Sequence, residues 1–151
     1  MSGFAGRNSL DENGDGWIYH ELQQAALCGQ HALNNLLQGP YFSPEDLAQI
    51  AMQLDDMERR AMLQSSQGHQ STDYLKYIAE GSGNVDSAGN FSIQVLRAAL
   101  EHQLSIQLVA LDSDDYKMIS RDITQEEGFI CNKQAHWFAI RLISEYTIYV
   151  I

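Results

Sequence analysis

Cys28 lies at the beginning of a helical pattern. Leu33, Leu36 and Leu37 recur at helical spacing and Gly39-Pro40 follows them, so the sequence predicts an amphipathic helix with Cys28 at or just inside its N-terminus. The helix dipole and the unpaired amides of a first turn stabilise an anion, so this is a position at which a cysteine can act as a thiolate nucleophile. The alternative is a small buried hydrophobe, which is the commoner role of a free cysteine.

A histidine and a glutamine complete a possible site around this cysteine. Apolar and aromatic runs flank a polar turn over residues 129–140, which predicts a hairpin with His136 at the mouth of its second strand. Gln23, five residues before Cys28, carries an amide that could donate to an oxyanion beside the sulfur. A cysteine at a helix start and a histidine on a distant strand are the parts of a cysteine-protease site. Because side chains alternate along a strand, Trp137 is expected to pack in the core behind His136.

Several linked motifs, in order, resemble the Josephin domain, the papain-like deubiquitinating protease domain of ataxin-three and the smaller Josephin proteins. The similarity runs from about Trp17 to Arg141 and is greatest to the ataxin-three type. The motifs are Gln23 with Cys28, the run Cys28–Gly39, Tyr41–Pro44, Phe91–Val95, and Ile130–Asn132 followed by His136–Phe138.

This resemblance implies an α+β, papain-like fold, in which N-terminal helices and a protruding helical hairpin accompany a C-terminal antiparallel sheet. It implies a thiol-dependent ubiquitin hydrolase that cleaves after the C-terminal glycine of ubiquitin. Cys28 would be the nucleophile, His136 the general base and acid, and Gln23 the oxyanion donor. The partners implied are ubiquitin and polyubiquitin chains, which the helical hairpin helps to grip. No cofactor and no metal are expected.

The sequence departs from the family pattern at the third catalytic position. The family has an Asn or Asp that orients the imidazole, on the strand after the histidine strand. Residues 144–151 contain no Asn or Asp, and Glu145 falls in a predicted turn, so no third member is found. The domain is therefore expected to be incomplete at its C-terminus. The alternative function is a ubiquitin-binding pseudo-protease with little or no turnover.

Composition limits the other function classes. The 151-residue chain has a net charge of -11, with 9 Lys and Arg against 20 Asp and Glu, which argues against a nucleic-acid partner. No apolar stretch approaches the length that spans a bilayer, so a soluble protein is expected. The two cysteines, far apart in sequence, suit a reducing compartment, the nucleus or cytoplasm.

Two patterns resemble metal sites, and neither is convincing. Residues 11–16 match the opening of an EF-hand loop, but its twelfth position is Leu22 rather than Glu. A zinc site could also be drawn, although its spacing is atypical, from Cys28, His31, Cys131 and His136. Packing or local hydrogen bonding is the preferred role for His31 and Cys131.

The remaining pattern gives the expected order of elements. Residues 1–16 read as a flexible tail and residues 17–151 as the Josephin-like domain. Trp17 to Tyr19 is expected to be an edge strand or an extended lead-in to the site. The predicted helices run from Pro44 to about Leu63, from Ser71–Asp73 to Gly81, and from Ser92 to about Leu100, with a polar turn over 64–70. The predicted strands are 104–111, a piece at 118–119, the hairpin, and 146–151.

Overall fold

The computed structural model describes residues 18–23, 27–64, 72–86, 90–119, 122–144 and 147–150. These ranges contain five α-helices, a 3₁₀ helix at Ile123–Gln125 and a three-stranded antiparallel sheet, so the predicted α+β class is confirmed. The chain divides into two compact units, one formed by residues up to Ser43 and from Val109 onward, the other by Pro44–Leu108. The predicted tail and EF-hand residues at 1–16, and the polar turn at 65–70, lie outside the described residues.

The first unit packs one helix against the sheet. Helix α1 is Cys28–Leu37, and the strands are β1 (Gly128–Lys133), β2 (His136–Ser144) and β3 (Thr147–Val150), in the order β1-β2-β3. The apolar side chains of α1 predicted to face inward include Leu33, which is fully buried beside the fully buried Ala32. The helix contacts both strands of the hairpin, chiefly β2. This packing brings the start of α1 and the start of β2 into one region.

Helix α1 ends one residue earlier than its Gly39-Pro40 signal indicates. Gln38 takes the left-handed conformation, with φ 59°, and its amide closes the helix by bonding to the carbonyls of Asn34 and Asn35. Its side chain accepts from the Tyr19 amide at 2.9 Å and donates to the Tyr19 carbonyl at 3.1 Å. Residues 18–23 therefore form an irregular lead-in fixed to α1, not a strand.

Gly128 permits the close approach of α1 to the hairpin. A Cβ at this position would lie 2.6 Å from Leu36 Cδ1 and 2.8 Å from the Ile140 carbonyl oxygen. The cross-strand neighbour of Gly128 is Arg141, whose guanidinium donates to the Leu36 carbonyl. The end of α1 is thus joined to the sheet by the close packing of Leu36 on Gly128 and by the bond from the Arg141 side chain to the helix backbone.

The β1–β2 hairpin closes through a two-residue turn of unusual composition. Gln134 and Ala135 both have positive φ, 54° and 61°, which defines a type I′ turn between Lys133 and His136. Such turns favour Asn-Gly because a Cβ opposes the left-handed conformation. The turn that precedes His136 is therefore strained.

Replacing Ala135 with Gly is expected to stabilise the protein by about 1 kcal/mol, because glycine adopts positive φ without the Cβ penalty. The melting temperature should rise by about 2–4 °C in a thermal scan. The matched control is Ala61→Gly on the exposed part of a helix, where the same change should cost about 1 kcal/mol. A lower melting temperature for Ala135→Gly would show that the turn conformation is wrong.

The second unit is helical. Helix α2 (Pro44–Gln64) packs on α4 (Ile93–Leu104) and on α3 (Thr72–Glu80), close to the predicted bounds. The core of this unit is formed by apolar side chains of α2 and α4 together with Phe91: Leu47, Ile50, Ala51, Val95, Leu96, Ala98, Ala99 and Leu100. Of the helices in the described ranges, none is long and apolar enough to cross a membrane.

Polar contacts fix the connection between α3 and α4. Ser92 caps α4 as predicted, because its side chain accepts from the Val95 amide. The buried Asn84 donates to Asp55 Oδ1 at 2.8 Å and accepts from the Ser92 hydroxyl at 3.0 Å. Tyr77 donates to the Asp55 carbonyl at 3.0 Å, which ties α3 to α2. The helical pair α2–α3 is thus present, and its protrusion stays a prediction.

Two predicted strands are wrong. Helix α4 continues to Leu104, and Ser105 closes it with φ 55°. The Ile106 amide bonds back to the Leu100 carbonyl at 3.1 Å, so capping engages the chain where the strand was expected to begin. The piece at 118–119 belongs to helix α5 (Asp114–Ile119), which Ser113 caps by accepting from the Tyr116 amide at 3.2 Å.

Candidate active site

Cys28 is the first residue of α1, and its side chain is only 4% exposed. The preceding residue, Leu27, makes no side-chain cap, and the first turn contains no acidic residue. The backbone N–H of Trp137 points at the sulfur, with the nitrogen 3.5 Å from Cys28 Sγ. The sulfur therefore lies between a helix N-terminus and the start of β2, where amide dipoles favour negative charge.

The register of the β1–β2 hairpin directs backbone groups at the start of β2 away from β1. Lys133 and His136 close the two-residue hairpin, so the Trp137 N–H and carbonyl point away from β1. In the part of the chain that the structure describes, strand β3 pairs with β2 from Ile140 to Ser144. These two outward-pointing groups of Trp137 bond to the residues of the candidate site, the N–H to the Cys28 sulfur and the carbonyl to the Gln23 amide.

Gln23 reaches the same backbone residue. Its Nε2 donates to the Trp137 carbonyl oxygen at 3.2 Å. A carboxamide nitrogen carries two N–H groups, and this bond uses one of them. The structure therefore gathers Cys28 and Gln23 around the backbone of Trp137. The oxyanion role of Gln23 stays a prediction.

His136 is adjacent to this backbone residue, and its side chain is exposed. Within the described ranges, no hydrogen bond joins its ring to Cys28. Catalytic hydrogen bonds are often long before substrate binds, so this does not exclude the pair. Trp137, on the opposite strand face, is half-buried, and the fully buried side chain of that face is Ala139. Trp137 is thus only partly buried, whereas the sequence predicts that it packs in the core.

A carboxylate that the sequence did not single out organises the lead-in to the site. Glu21 accepts from Gln30 Nε2 at 3.2 Å, His31 Nδ1 at 2.6 Å and Asn34 Nδ2 at 2.9 Å, and also from the Tyr19 hydroxyl. A sequence signal was available. Gln30 and Asn34 are polar residues one turn apart on a helix that is otherwise buried there, and buried polar groups require partners.

Three other groups near the site have ordinary structural roles. His31 pairs with Glu21, in agreement with the predicted local hydrogen bonding. Cys131 is half-buried on β1, and burial raises the pKa of its thiol, so it is a poor nucleophile at neutral pH. Burial, and then its hydrogen bond to Glu21, raises the pKa of Tyr19, which remains a donor. No cluster of three potential metal ligands occurs within the described ranges.

Comparison with known proteins identifies the family. The Josephin family model matches residues 23–150, a range that spans both compact units. The chain is 44% identical over 128 residues to Ataxin-3 of Homo sapiens, covering 85% of this chain and 35% of that protein. It is 45% identical over 125 residues to the Ataxin-3-like protein of Homo sapiens, covering 83% and 34% of the two chains.

A plant relative extends the comparison. The chain is 43% identical over 131 residues to the Ataxin-3 homolog of Arabidopsis thaliana, covering 85% of this chain and 45% of that protein. The match thus spans less than half the length of each of these relatives. Because the family model matches most of the sequence and the identities to these relatives are 43–45%, the chain belongs to the Josephin family, in its ataxin-3-type branch.

Proposed function

We propose that this chain is a thiol-dependent ubiquitin hydrolase with a papain-like arrangement of nucleophile and base. The observation that carries the proposal is the convergence at Trp137, whose N–H faces Cys28 Sγ while its carbonyl holds the Gln23 amide. Two elements far apart in sequence thereby bring a buried thiol, an amide donor and the strand start with His136 into one region.

The proposed reaction has two stages, the acylation of Cys28 and the hydrolysis of the resulting thioester. The Cys28 thiolate attacks the carbonyl carbon of the ubiquitin C-terminal glycine, and the oxyanion receives N–H donors from Gln23 and from the Cys28 backbone. His136, which has taken the proton of the Cys28 thiol, then gives it to the departing amine as the C–N bond breaks, leaving a thioester. Water, deprotonated by His136, attacks the thioester and releases the ubiquitin carboxylate and the Cys28 thiolate.

The partner proposed is ubiquitin, singly or in chains, and the family resemblance assigns part of its binding to the α2–α3 pair. Large apolar side chains are exposed on these two helices, as expected for a protein-docking surface: Met52, Met57, Leu75 and Ile78. Both cysteines are free, which supports the reducing nucleus or cytoplasm as the location.

A second candidate function is ubiquitin binding with little turnover. Within the described ranges, the structure gives the exposed His136 ring no hydrogen-bond partner that could orient it. Strand β3, residues 147–150, contains no Asn or Asp. Loss of the orienting acid costs up to about 10⁴-fold in serine triads.

Turnover of a ubiquitin C-terminal fluorogenic amide tests the proposal. We expect the parent chain to release the fluorophore, Cys28→Ala to show no release, and the matched Cys131→Ala control to retain at least half the parent rate. Cys131 is a half-buried free cysteine on β1, and the proposed reaction does not use its thiol. Ubiquitin binding without release by the parent would support the second function and contradict the first.

A further inference from the structure

We propose that Glu21 is a positioning residue that holds the Gln23 amide at the site; the inference rests on the oxyanion role proposed for Gln23. Gln23 belongs to the irregular lead-in at 18–23, so no helical or sheet ladder fixes its backbone. Side-chain contacts therefore help to fix its position, and those of Glu21, two residues before it, join the lead-in to α1.

The carboxylate of Glu21 has its acceptor capacity filled. Oε1 accepts from the Tyr19 hydroxyl and from Asn34 Nδ2 at 2.9 Å. Oε2 accepts from His31 Nδ1 at 2.6 Å and from Gln30 Nε2 at 3.2 Å. An ionised carboxylate offers about four lone-pair sites, and each of the two oxygens here receives two donors. Three of the four donors are on α1, the helix that starts with Cys28.

The backbone of the lead-in is held to the same helix. The Glu21 amide donates to Asn35 Oδ1 at 2.7 Å, and the Gln38 side chain bonds to both the N–H and the carbonyl of Tyr19. The side chains of Glu21 and His31 are only 18% and 12% exposed, so these bonds are largely shielded from water. Gln23, two residues further on, therefore starts from a fixed anchor on the nucleophile's own helix.

A neutral isostere cannot make the same contacts. In Glu21→Gln, one oxygen becomes an NH₂ group that would face the amide donor of Gln30 or that of Asn34. A donor facing a donor breaks the network while keeping the size of the side chain. The lead-in should then detach from α1 and release Gln23 from the Trp137 carbonyl.

The kinetic test is a double-mutant cycle on the fluorogenic ubiquitin amide. We expect Glu21→Gln to lower kcat by about 10–100-fold with KM within about 2-fold, a loss no larger than that of one oxyanion donor. In a Gln23→Ala background the same change should have less than about a 2-fold effect, because the two residues act through one contact. Glu101→Gln, at an exposed position on α4, is the matched control and should leave kcat unchanged. Equal losses in both backgrounds would overturn the proposal.

An NMR measurement decides the same point without activity. The side-chain ¹⁵N–¹H₂ signals of Gln23, assigned by their absence in Gln23→Ala, should move to the free-amide position in Glu21→Gln while most backbone signals stay. If Glu21→Gln does not fold, Gln38→Ala, which frees Tyr19 instead, should shift the same signals. Unmoved Gln23 signals in a folded variant contradict the positioning role. If neither the parent nor any variant hydrolyses the ubiquitin amide, the proposed function fails. The Gln23 signals then still test whether Glu21 positions Gln23.

Discussion

Replacing His136 with Gln is expected to lower kcat for the ubiquitin amide by about 10²–10⁴-fold, the range for losing a general acid and base. Gln keeps hydrogen-bonding capacity at the start of β2, so the hairpin should remain folded. It cannot protonate the departing amine or deprotonate the water that attacks the thioester. KM should change little, because substrate binding does not require the imidazole.

The matched control is His102→Gln, at an exposed position in the last turn of α4. It should leave kcat within about 2-fold of the parent, as is usual for an exposed residue outside a site. If His136→Gln and His102→Gln have the same kcat, His136 is not the base. A low parent rate that His136→Gln does not lower further would instead favour the ubiquitin-binding function.

Replacing Gly128 with Val is expected to destabilise the protein by about 3 kcal/mol, at the upper end of overpacking penalties. The first added carbon would lie 2.6 Å from Leu36 Cδ1 and 2.8 Å from the Ile140 carbonyl oxygen. Leu36 can rotate away, but the Ile140 oxygen belongs to β2 and cannot move without displacing the strand. The melting temperature should fall by roughly 6–12 °C, at about 2–4 °C per kcal/mol.

Gly83→Val is the control for this substitution. A Cβ at Gly83 would have no atom within 4 Å, so its melting temperature should stay within about 2 °C of the parent. Adding Leu36→Ala to Gly128→Val should restore only part of the lost stability, because the backbone clash remains. A Gly128→Val protein as stable as the parent would show that α1 does not approach the sheet this closely.

Elements with local signals could be predicted from the sequence. Pro44 and two acids mark the start of α2, Ser92 marks the start of α4, and the stripe of leucines marks α1. These signals act within one helical turn, so they need no knowledge of distant residues. The predicted strand at 104–111 failed for a related reason. The alternation of residues 104–111 is a local pattern, whereas a strand also requires a partner strand. Here the C-terminal cap of α4 uses the Ile106 amide instead.

The candidate site could be predicted only in part. The residue types of Cys28, His136 and Gln23 indicated the chemistry, and the family resemblance linked them across the chain. The convergence on the Trp137 backbone was not predictable, because it depends on the hairpin register that turns the Trp137 N–H and carbonyl away from β1. Glu21 was missed because the polar Gln30 and Asn34 on α1 indicate that a partner is required but not which residue supplies it. The strained Gln134-Ala135 turn lacks the Asn-Gly signature from which type I′ turns are predicted.

The most direct test of the central claim is the reaction of the parent chain with ubiquitin carrying a thiol-reactive group at its C-terminus. Intact-mass measurement should show one ubiquitin added per chain, and peptide mapping should place the bond on Cys28. Cys28→Ala should show no addition, while Cys131→Ala should react like the parent. Labelling on Cys131, or ubiquitin binding with no covalent product, would contradict the assignment of Cys28 as the nucleophile of a ubiquitin hydrolase.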